Sequence, residues 1–352
     1  MRFDALWVEI LRSQLQRIST LYSASWPTLA VSQGLAQHMD TVKSIHGMAS
    51  GPEKAIRPTQ NVIRLPTVQL IGAQKAGTSA LADWLFEEGG FSRPKVFDDE
   101  PFFYSKEVHF FDSEWRYEQG AEFYAKRFQH CGANSLVRTM DATPDTLPFA
   151  ERVRSTYEAA GGNQAETVKI IVILREPVSR ELSLYNHLAF DCRRLRAADR
   201  SAWHNQVVRE DGSVMSFDEF VLHKSIPALE RETGPGRSTR HGMYATHLSR
   251  WFKLFDRKQI LVLGYHELQY HPENLQQRIQ SFLGHPVPGA LSRSNSNDSQ
   301  NKVNLPSCKA QETLLAVFAP INEKLYQLLE SNPGPSMEQR PFPKFQDPFR
   351  SY

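Results

Sequence analysis

The stretch that most limits what this chain can become is Val168-Lys-Ile-Ile-Val-Ile-Leu174. Side chains alternate between the two faces of a strand. Here both faces are apolar apart from Lys169, and five of the seven residues are β-branched. Such a run suits a parallel strand covered on both sides, not an antiparallel strand with one wet face. Parallel neighbours need crossover connections, usually helices, so the run implies an α/β domain. Pro177 then sits where the first turn of the next helix would begin.

The rest of the chain supplies the alternation. Residues 67–72 (Thr-Val-Gln-Leu-Ile-Gly) read as a second short strand. A glycine-bearing loop follows, then a helix from Thr78 to Glu88, where Leu81, Trp84 and Leu85 recur at helical spacing and Gly89-Gly90 end it. Ser216-Phe-Asp-Glu219 reads as a capping box. Tyr244 to Phe255 is amphipathic, Gln259 to Leu263 is a further strand, and residues 273–283 form a helix closed by Gly284. A last helix spans about 310–330, before a proline- and aromatic-rich tail. The expectation is a single P-loop-like α/β domain over residues 61–335, its central sheet mostly parallel and flanked by helices, with ligands at the strands' C-terminal ends. Residues 1–60 read as an N-terminal helical extension and linker, broken by Gly51-Pro52 and Pro58, and residues 336–352 as a C-terminal tail.

Charge narrows the partners. The 41 basic against 39 acidic residues leave a net charge of +2, without the strong basic excess of a general nucleic-acid binder, yet with room for a local basic pocket. Cys131, Cys192 and Cys308 are scattered and odd in number, which suggests neither a disulfide framework nor a paired metal site. No stretch approaches the ~20 apolar residues of a membrane helix. Asp4, Glu9 and Arg12 interrupt the apolar run of a secretory signal, while the first 25 residues fit either a docking helix or an organelle transit peptide. The expected location is cytoplasmic, with organelle targeting as the alternative.

Between strand and helix lies Gly72-Ala-Gln-Lys75-Ala76-Gly77-Thr78-Ser79. Successive backbone N–H groups and the helix dipole make such a turn an anion site, with a full charge from Lys75 and hydroxyls from Thr78 and Ser79. It departs from the Walker A pattern, whose lysine directly follows the last glycine and precedes a magnesium-binding Ser/Thr. A lysine inside the loop suits a metal-free transfer in which it meets the leaving phosphate oxygen itself. A chance glycine loop is the plainer alternative. After the strand at 168–174 comes Arg175, placed at a strand end where a guanidinium fork suits a phosphate. Ser183 lies eight residues on, about two helical turns, and can face the same ligand. Arg180 reads instead as the partner of Glu176 or another carboxylate.

Two anion sites at strand ends imply a nucleoside with phosphates at both ends, and here the chain resembles the sulfotransferases that use 3'-phosphoadenosine-5'-phosphosulfate (PAPS). Within them it resembles the branch containing the heparan sulfate and other carbohydrate enzymes. The resemblance covers about residues 66–330. It implies that Lys75, Ala76, Gly77, Thr78 and Ser79 hold the 5'-phosphosulfate, and that Arg175 and Ser183 hold the 3'-phosphate. Lys302, in Asn301-Lys302-Val303-Asn304, is the nearest counterpart of a basic loop over the adenosine.

A third feature is Lys106-Glu107-Val-His109-Phe-Phe-Asp112. Alternation in an extended segment puts Glu107 and His109 on one side, with Val108 and Phe110 opposite. A carboxylate and an imidazole in one cleft can take a proton; a surface strand with solvated charges is the alternative. The segment is similar to the Glu-Val-His-Phe-Phe-Asp stretch of the heparan sulfate enzymes. That likeness implies Glu107 as catalytic base and His109 and Asp112 along the acceptor site. Met140-Asp141-Ala142-Thr143-Pro144 resembles another family segment, with Ala142 in place of a lysine that contacts sulfate and acceptor. Cys308 stands without the nearby partner that often pins the adenosine loop.

The expected function is transfer of the sulfuryl group from PAPS to a hydroxyl or amine of a sugar or small-molecule acceptor. Glu107 and His109 would serve the acceptor and Lys75 the leaving adenosine 3',5'-bisphosphate, with no metal. The rivals are a P-loop small-molecule kinase and a non-catalytic nucleotide-binding relative.

Overall fold

The structure, a computed structural model, describes residues 62–95, 106–128, 137–229, 237–291, 307–335 and 342–345. The helical extension expected over residues 1–60, the Lys302 segment and most of the tail lie outside them. In chain order the elements that build the site are β1 (Val68–Leu70), α1 (Thr78–Glu87), β2 (Phe91–Ser92), β3 (Arg138–Asp141), α2 (Ala150–Ala159), β4 (Lys169–Leu174), α3 (Pro177–Arg194), α4 (Tyr244–Leu254), β5 (Ile260–Gly264), α5 (Pro272–Leu283) and α6 (Cys308–Ser331).

The five strands form one sheet in the order β2-β3-β1-β4-β5, and every pairing is parallel. The run that opened the reading becomes β4, with Ile170 through Leu174 all shut away from solvent. It pairs with β1 through Leu70↔Ile171 and with β5 through Ile170↔Ile260 to Leu174↔Gly264. Two strands were not announced by the sequence. β2 is two residues long, and β3 reads Arg-Thr-Met-Asp, with polar Thr139 and Asp141 nevertheless buried. Tertiary pairing, not pattern, makes β3 a strand: Met140 stands opposite Val68.

This strand order locates the site. The chain leaves β1 towards β3 and β2 on one side, and leaves β4 towards β5 on the other. The loops after β1 and β4 therefore diverge, and the crevice between them is where ligands of open parallel sheets settle. Gly72 opens the first of these loops at φ 142°, and a Cβ there would lie 2.7 Å from the Pro144 carbonyl oxygen. Only glycine lets the β1 loop and the segment after β3 pass this closely.

A second apolar cluster packs α3 against α6 and residues 217–226, through Leu184, Tyr185, Leu188, Phe217, Phe220 and Phe318. The Ser216–Glu219 capping box forms as expected, although it opens only a four-residue helix that continues into a π-turn over Val221–Ser225. Within this cluster Arg180 is fully buried, and its partner is Glu181 at 2.9 Å, not Glu176. Glu176 instead caps α3, accepting from Val178 N at 2.9 Å and Ser179 N at 2.6 Å. Glu181 also accepts from Ser225 Oγ and Thr239 Oγ1, both at 2.5 Å.

Two charges without solvent depend on each other, since removing one leaves the other uncompensated. Glu181→Leu is expected to destabilise the fold by about 3–5 kcal/mol, and adding Arg180→Met to recover much of the loss. Chemical denaturation of the three proteins checks this. A double variant no more stable than the single one would show that packing, not charge, sets the cost.

Candidate active site

The loop from Gly72 to Gly77 runs from β1 into α1 and is tied to β4 by Ala73 N to Ile173 O and Ile173 N to Gly72 O, each 2.8 Å. Lys75 has φ 67° and Gly77 φ 92°. A Cβ on Gly77 would fall 2.7 Å from Leu268 and 3.1 Å from Tyr265, so the backbone lies flush against residues 265–268. No side chain caps α1. Its first N–H groups are thus available to an anion, as a strand-to-helix phosphate turn requires. Ala76 is buried and can offer only its backbone; Thr78 is buried and Ser79 half-buried beside it.

Arg175 leaves the end of β4 and is held at three points. Its Nη1 donates to the Lys75 carbonyl at 3.2 Å, its guanidinium lies 4.7 Å over the Tyr265 ring, and its own carbonyl accepts from Tyr244 Oη at 2.8 Å. The structure therefore joins the two expected anion sites directly, through Lys75 and Arg175. Burial, and then the positive charge of Arg175, bring the Lys75 pKa down to about 8. Lys106 lowers it further, whereas Asp191 and Glu107 oppose the shift. Like charges gathered in partial burial favour a bound anion. Ser183 lies on the half-buried face of α3, two turns on.

The segment from Lys106 to Asp112 departs from expectation in backbone and agrees in sidedness. Val108 and Phe110 are fully buried, while Glu107 and His109 are partly exposed. The segment is not an extended strand, however, because His109 adopts φ 52°. That left-handed turn lets its ring lie between two carboxylates, Nε2 at 3.1 Å from Glu107 Oε2 and Nδ1 at 3.0 Å from Asp112 Oδ2. With an acceptor oxygen at each nitrogen, both nitrogens must carry protons, so the ring is an imidazolium. Burial alone would lower its pKa, but the hydrogen bonds to Asp112 and Glu107, with the charges of Asp112 and Asp145, push it up to about 11. For Glu107, burial works upward and is outweighed by the His109 hydrogen bond and the Lys106 charge, which hold the carboxyl below its ordinary value. Lys106 Nζ contacts Glu107 Oε1 directly. His109, Asp112 and Asp145 also each bring a potential ligand atom within 4.8 Å of the others, but here His109 is engaged by the carboxylates.

What holds this irregular segment in place was not legible in the sequence. Thr143 Oγ1 accepts from the backbone N–H groups of Val108 at 2.8 Å and His109 at 3.2 Å, and donates to Asp141 at 2.6 Å. Arg116 holds the Val108 carbonyl at 2.8 Å and Arg152 the Phe111 carbonyl at 3.0 Å. Asp141 and Thr143 were noticed only as part of a resemblance. No local signal was available for their role, because β3, which places them, is not legible in the sequence. Tyr265 had a signal, since it follows β5 at the ligand end of the sheet.

The family described as "Sulfotransferase domain" matches residues 65–316. Heparan sulfate glucosamine 3-O-sulfotransferase 5 of Homo sapiens is 24% identical over 234 residues, which are 66% of this chain and 58% of that protein. Bifunctional heparan sulfate N-deacetylase/N-sulfotransferase 4 of Mus musculus is 27% identical over 232 residues, 62% of this chain but 22% of the relative. The chain thus spans little more than half of the first and about a fifth of the second. The crystal structure of a sulfotransferase from Alicyclobacillus acidocaldarius superposes with a TM-score of 0.51 at 21% identity, covering 76% of this chain and 97% of that one. That likeness is one of fold.

The His109 ion pairs have a pH signature. A histidine whose folded pKa is raised contributes fully below the unfolded value near 6.5 and loses that contribution as pH rises towards about 11. The stability gap between wild type and His109→Gln is therefore expected to be widest below pH 6.5 and to narrow with rising pH. Denaturation midpoints from about pH 5.5 to about pH 10 check it. A gap that widens with pH would mean that the folded ring is neutral.

Proposed function

The chain belongs to the sulfotransferase domain family, and from that premise we propose that it moves the sulfuryl group of PAPS onto an acceptor hydroxyl by in-line displacement. The observation that carries the reading is that Glu107, a carboxylate suited to take a proton, lies close enough to Lys75, a cation suited to a leaving group, for their charges to act on each other. Lys106 touches Glu107, and its charge, like that of Glu107, acts on Lys75.

The residues suit PAPS. The loop backbone and the uncapped start of α1 offer N–H groups to an anion, with Lys75, Thr78 and Ser79 as further donors. Arg175 and Ser183 would take the 3'-phosphate. In the proposed step Glu107 accepts the proton of the acceptor hydroxyl while that oxygen bonds to sulfur. The bond from sulfur to the bridging phosphate oxygen breaks, and its electron pair stays with adenosine 3',5'-bisphosphate. Lys75 meets the charge that develops there, a pre-placed cation in a site of low dielectric. His109 has no free lone pair while both nitrogens are protonated, so it serves by keeping Glu107 ionised. Ala142 is fully buried and brings no charge to the acceptor side, which favours an acceptor of little negative charge.

Two measurements test this. Adenosine 3',5'-bisphosphate is expected to raise the melting temperature well beyond the shift given by ATP at the same concentration, because only the former occupies both anion sites. Equal shifts would remove the two-site assignment. In turnover assays at saturating PAPS, Glu107→Gln should lose at least ~100-fold while binding adenosine 3',5'-bisphosphate normally, and His109→Ala should lose less. A Glu107→Gln enzyme within a few-fold of wild type would take Glu107 out of the mechanism.

A further inference from the structure

The backbone carbonyl of Arg175 lies just past the end of β4, where the ladder with β5 stops at Leu174↔Gly264. A carbonyl at such a point needs a donor from elsewhere. Tyr244 supplies it, its hydroxyl donating at 2.8 Å from the start of α4. Tyr244 is fully buried, and burial above all pushes its pKa up to about 12, so the hydroxyl stays a donor well above neutral pH.

The Tyr244 ring is covered by a segment far along the chain. Phe345 lies against it, with ring centroids 6.2 Å apart and planes inclined at 58°. Phe345 is itself anchored. Its N–H donates to Tyr326 Oη of α6 at 2.8 Å, the two rings are 6.0 Å apart, and Phe342 meets Phe345 edge-on at 5.6 Å. Phe342 precedes Pro343, which disfavours helical backbone there, so less chain freedom is lost on docking. The exposed pair of Lys344 and Glu323, 3.6 Å apart, adds little. Phe342 and Pro343 also wall a cavity of about 150 Å³ with His266 and Glu267, the residues that follow Tyr265. Residues 342–345 thus border both supports of Arg175: Tyr244 at its carbonyl, and the stretch whose Tyr265 ring lies under its guanidinium. The charge of Glu176, next to Arg175, accordingly acts on Tyr326, after the larger effects of burial and of the Phe345 hydrogen bond.

We infer that Phe345 and Tyr244 are positioning residues for Arg175: by fixing its carbonyl they aim its guanidinium, and so set the affinity for the phosphate that Arg175 binds. This rests on the reading of Arg175 as a ligand of the donor's 3'-phosphate. A carbonyl without its donor turns with its peptide, and the side chain on the same residue turns with it. The guanidinium spans from the Lys75 carbonyl, 3.2 Å away, to the Tyr265 ring, so a small rotation spoils the alignment of its fork with a phosphate. Glu107 is held by Lys106 and His109 on another segment, so the chemical step is spared.

The test compares adenosine 3',5'-bisphosphate with adenosine 5'-phosphate by calorimetry on the full chain, because the ratio of the two affinities isolates the 3'-phosphate. Wild type is expected to favour the bisphosphate, and Arg175→Ala to cut that ratio at least ~10-fold. Tyr244→Phe and Phe345→Ala should each cut it ~5-fold, about the worth of one hydrogen bond, with adenosine 5'-phosphate bound as before. Phe345→Tyr keeps the ring and should restore the wild-type ratio. In an Arg175→Ala background neither substitution should cost anything further, since residues that act through one another are not additive. In turnover the PAPS KM should rise while kcat stays within a few-fold. Equal loss of affinity for both nucleotides, or full additivity with Arg175→Ala, would mean general support of the fold and overturns the inference. A wild-type ratio in Tyr244→Phe overturns it too, and that variant keeps the core shape, so it decides the matter even where Phe345→Ala fails to fold. An Arg175→Ala protein that keeps the wild-type ratio removes Arg175 from the 3'-phosphate, and this inference with it. A wild type that binds neither nucleotide removes the donor reading as a whole.

Discussion

Asp141 is a carboxylate with no exposure to solvent, at the end of a four-residue strand in the middle of a sheet. Burial pushes its pKa up, and the hydrogen bonds from Thr143 and Tyr124 work against that shift. Thr143 Oγ1 and N reach it at 2.6 and 3.1 Å, and Tyr124 Oη at 2.8 Å. Tyr124 is in turn fixed by Gln69 Nε2 of β1 at 2.8 Å, and the same amide reaches Tyr157. The polar network beneath residues 106–112 is therefore continuous with the strand that launches the Gly72–Gly77 loop. Because the Thr143 hydroxyl spends its proton on Asp141, its oxygen is left to receive Val108 and His109. The irregular backbone at His109 persists because this arrangement over-determines it.

Charge placement follows from that framework. The phosphate loop carries Lys75 forward from β1, β4 delivers Arg175, and the segment pinned by Thr143 delivers Lys106 beside Glu107. Cations gathered in partial burial repel one another, and the depressed Lys75 pKa records it. The acidic side of the site is arranged in the opposite sense, with His109 held as a cation between Glu107 and Asp112. A bound anion would relieve the first imbalance. The second keeps Glu107 ionised.

The two anion loops are coupled rather than merely adjacent. Arg175 rests on Tyr265, which also packs against Gly77, while its guanidinium holds the Lys75 carbonyl. Tyr244 at the start of α4 fixes the Arg175 carbonyl from the other side. The phosphate loop, the β4 loop and the residues after β5 therefore form one unit with three points of support.

The β-branched run 168–174 determined the α/β class by itself, because a strand apolar on both faces has no other stable home. The spacing in Gly72–Ser79 likewise marked a strand-to-helix turn, and Arg175 was legible at a strand end, since local backbone pattern suffices for both. The sidedness of Glu107 and His109 was legible from alternation, but the φ 52° turn between them was not. Partners chosen by packing were beyond local pattern altogether. Thr143 reaches back to Val108, Arg180 chooses Glu181 over Glu176, β3 is a strand only beside β1, and His204 comes to Asp191 only when its loop returns along α3. Each of these depends on which surfaces the packed sheet and helices bring together. Hydrophobic period and turn chemistry specify the elements, but tertiary packing alone decides which buried polar groups meet.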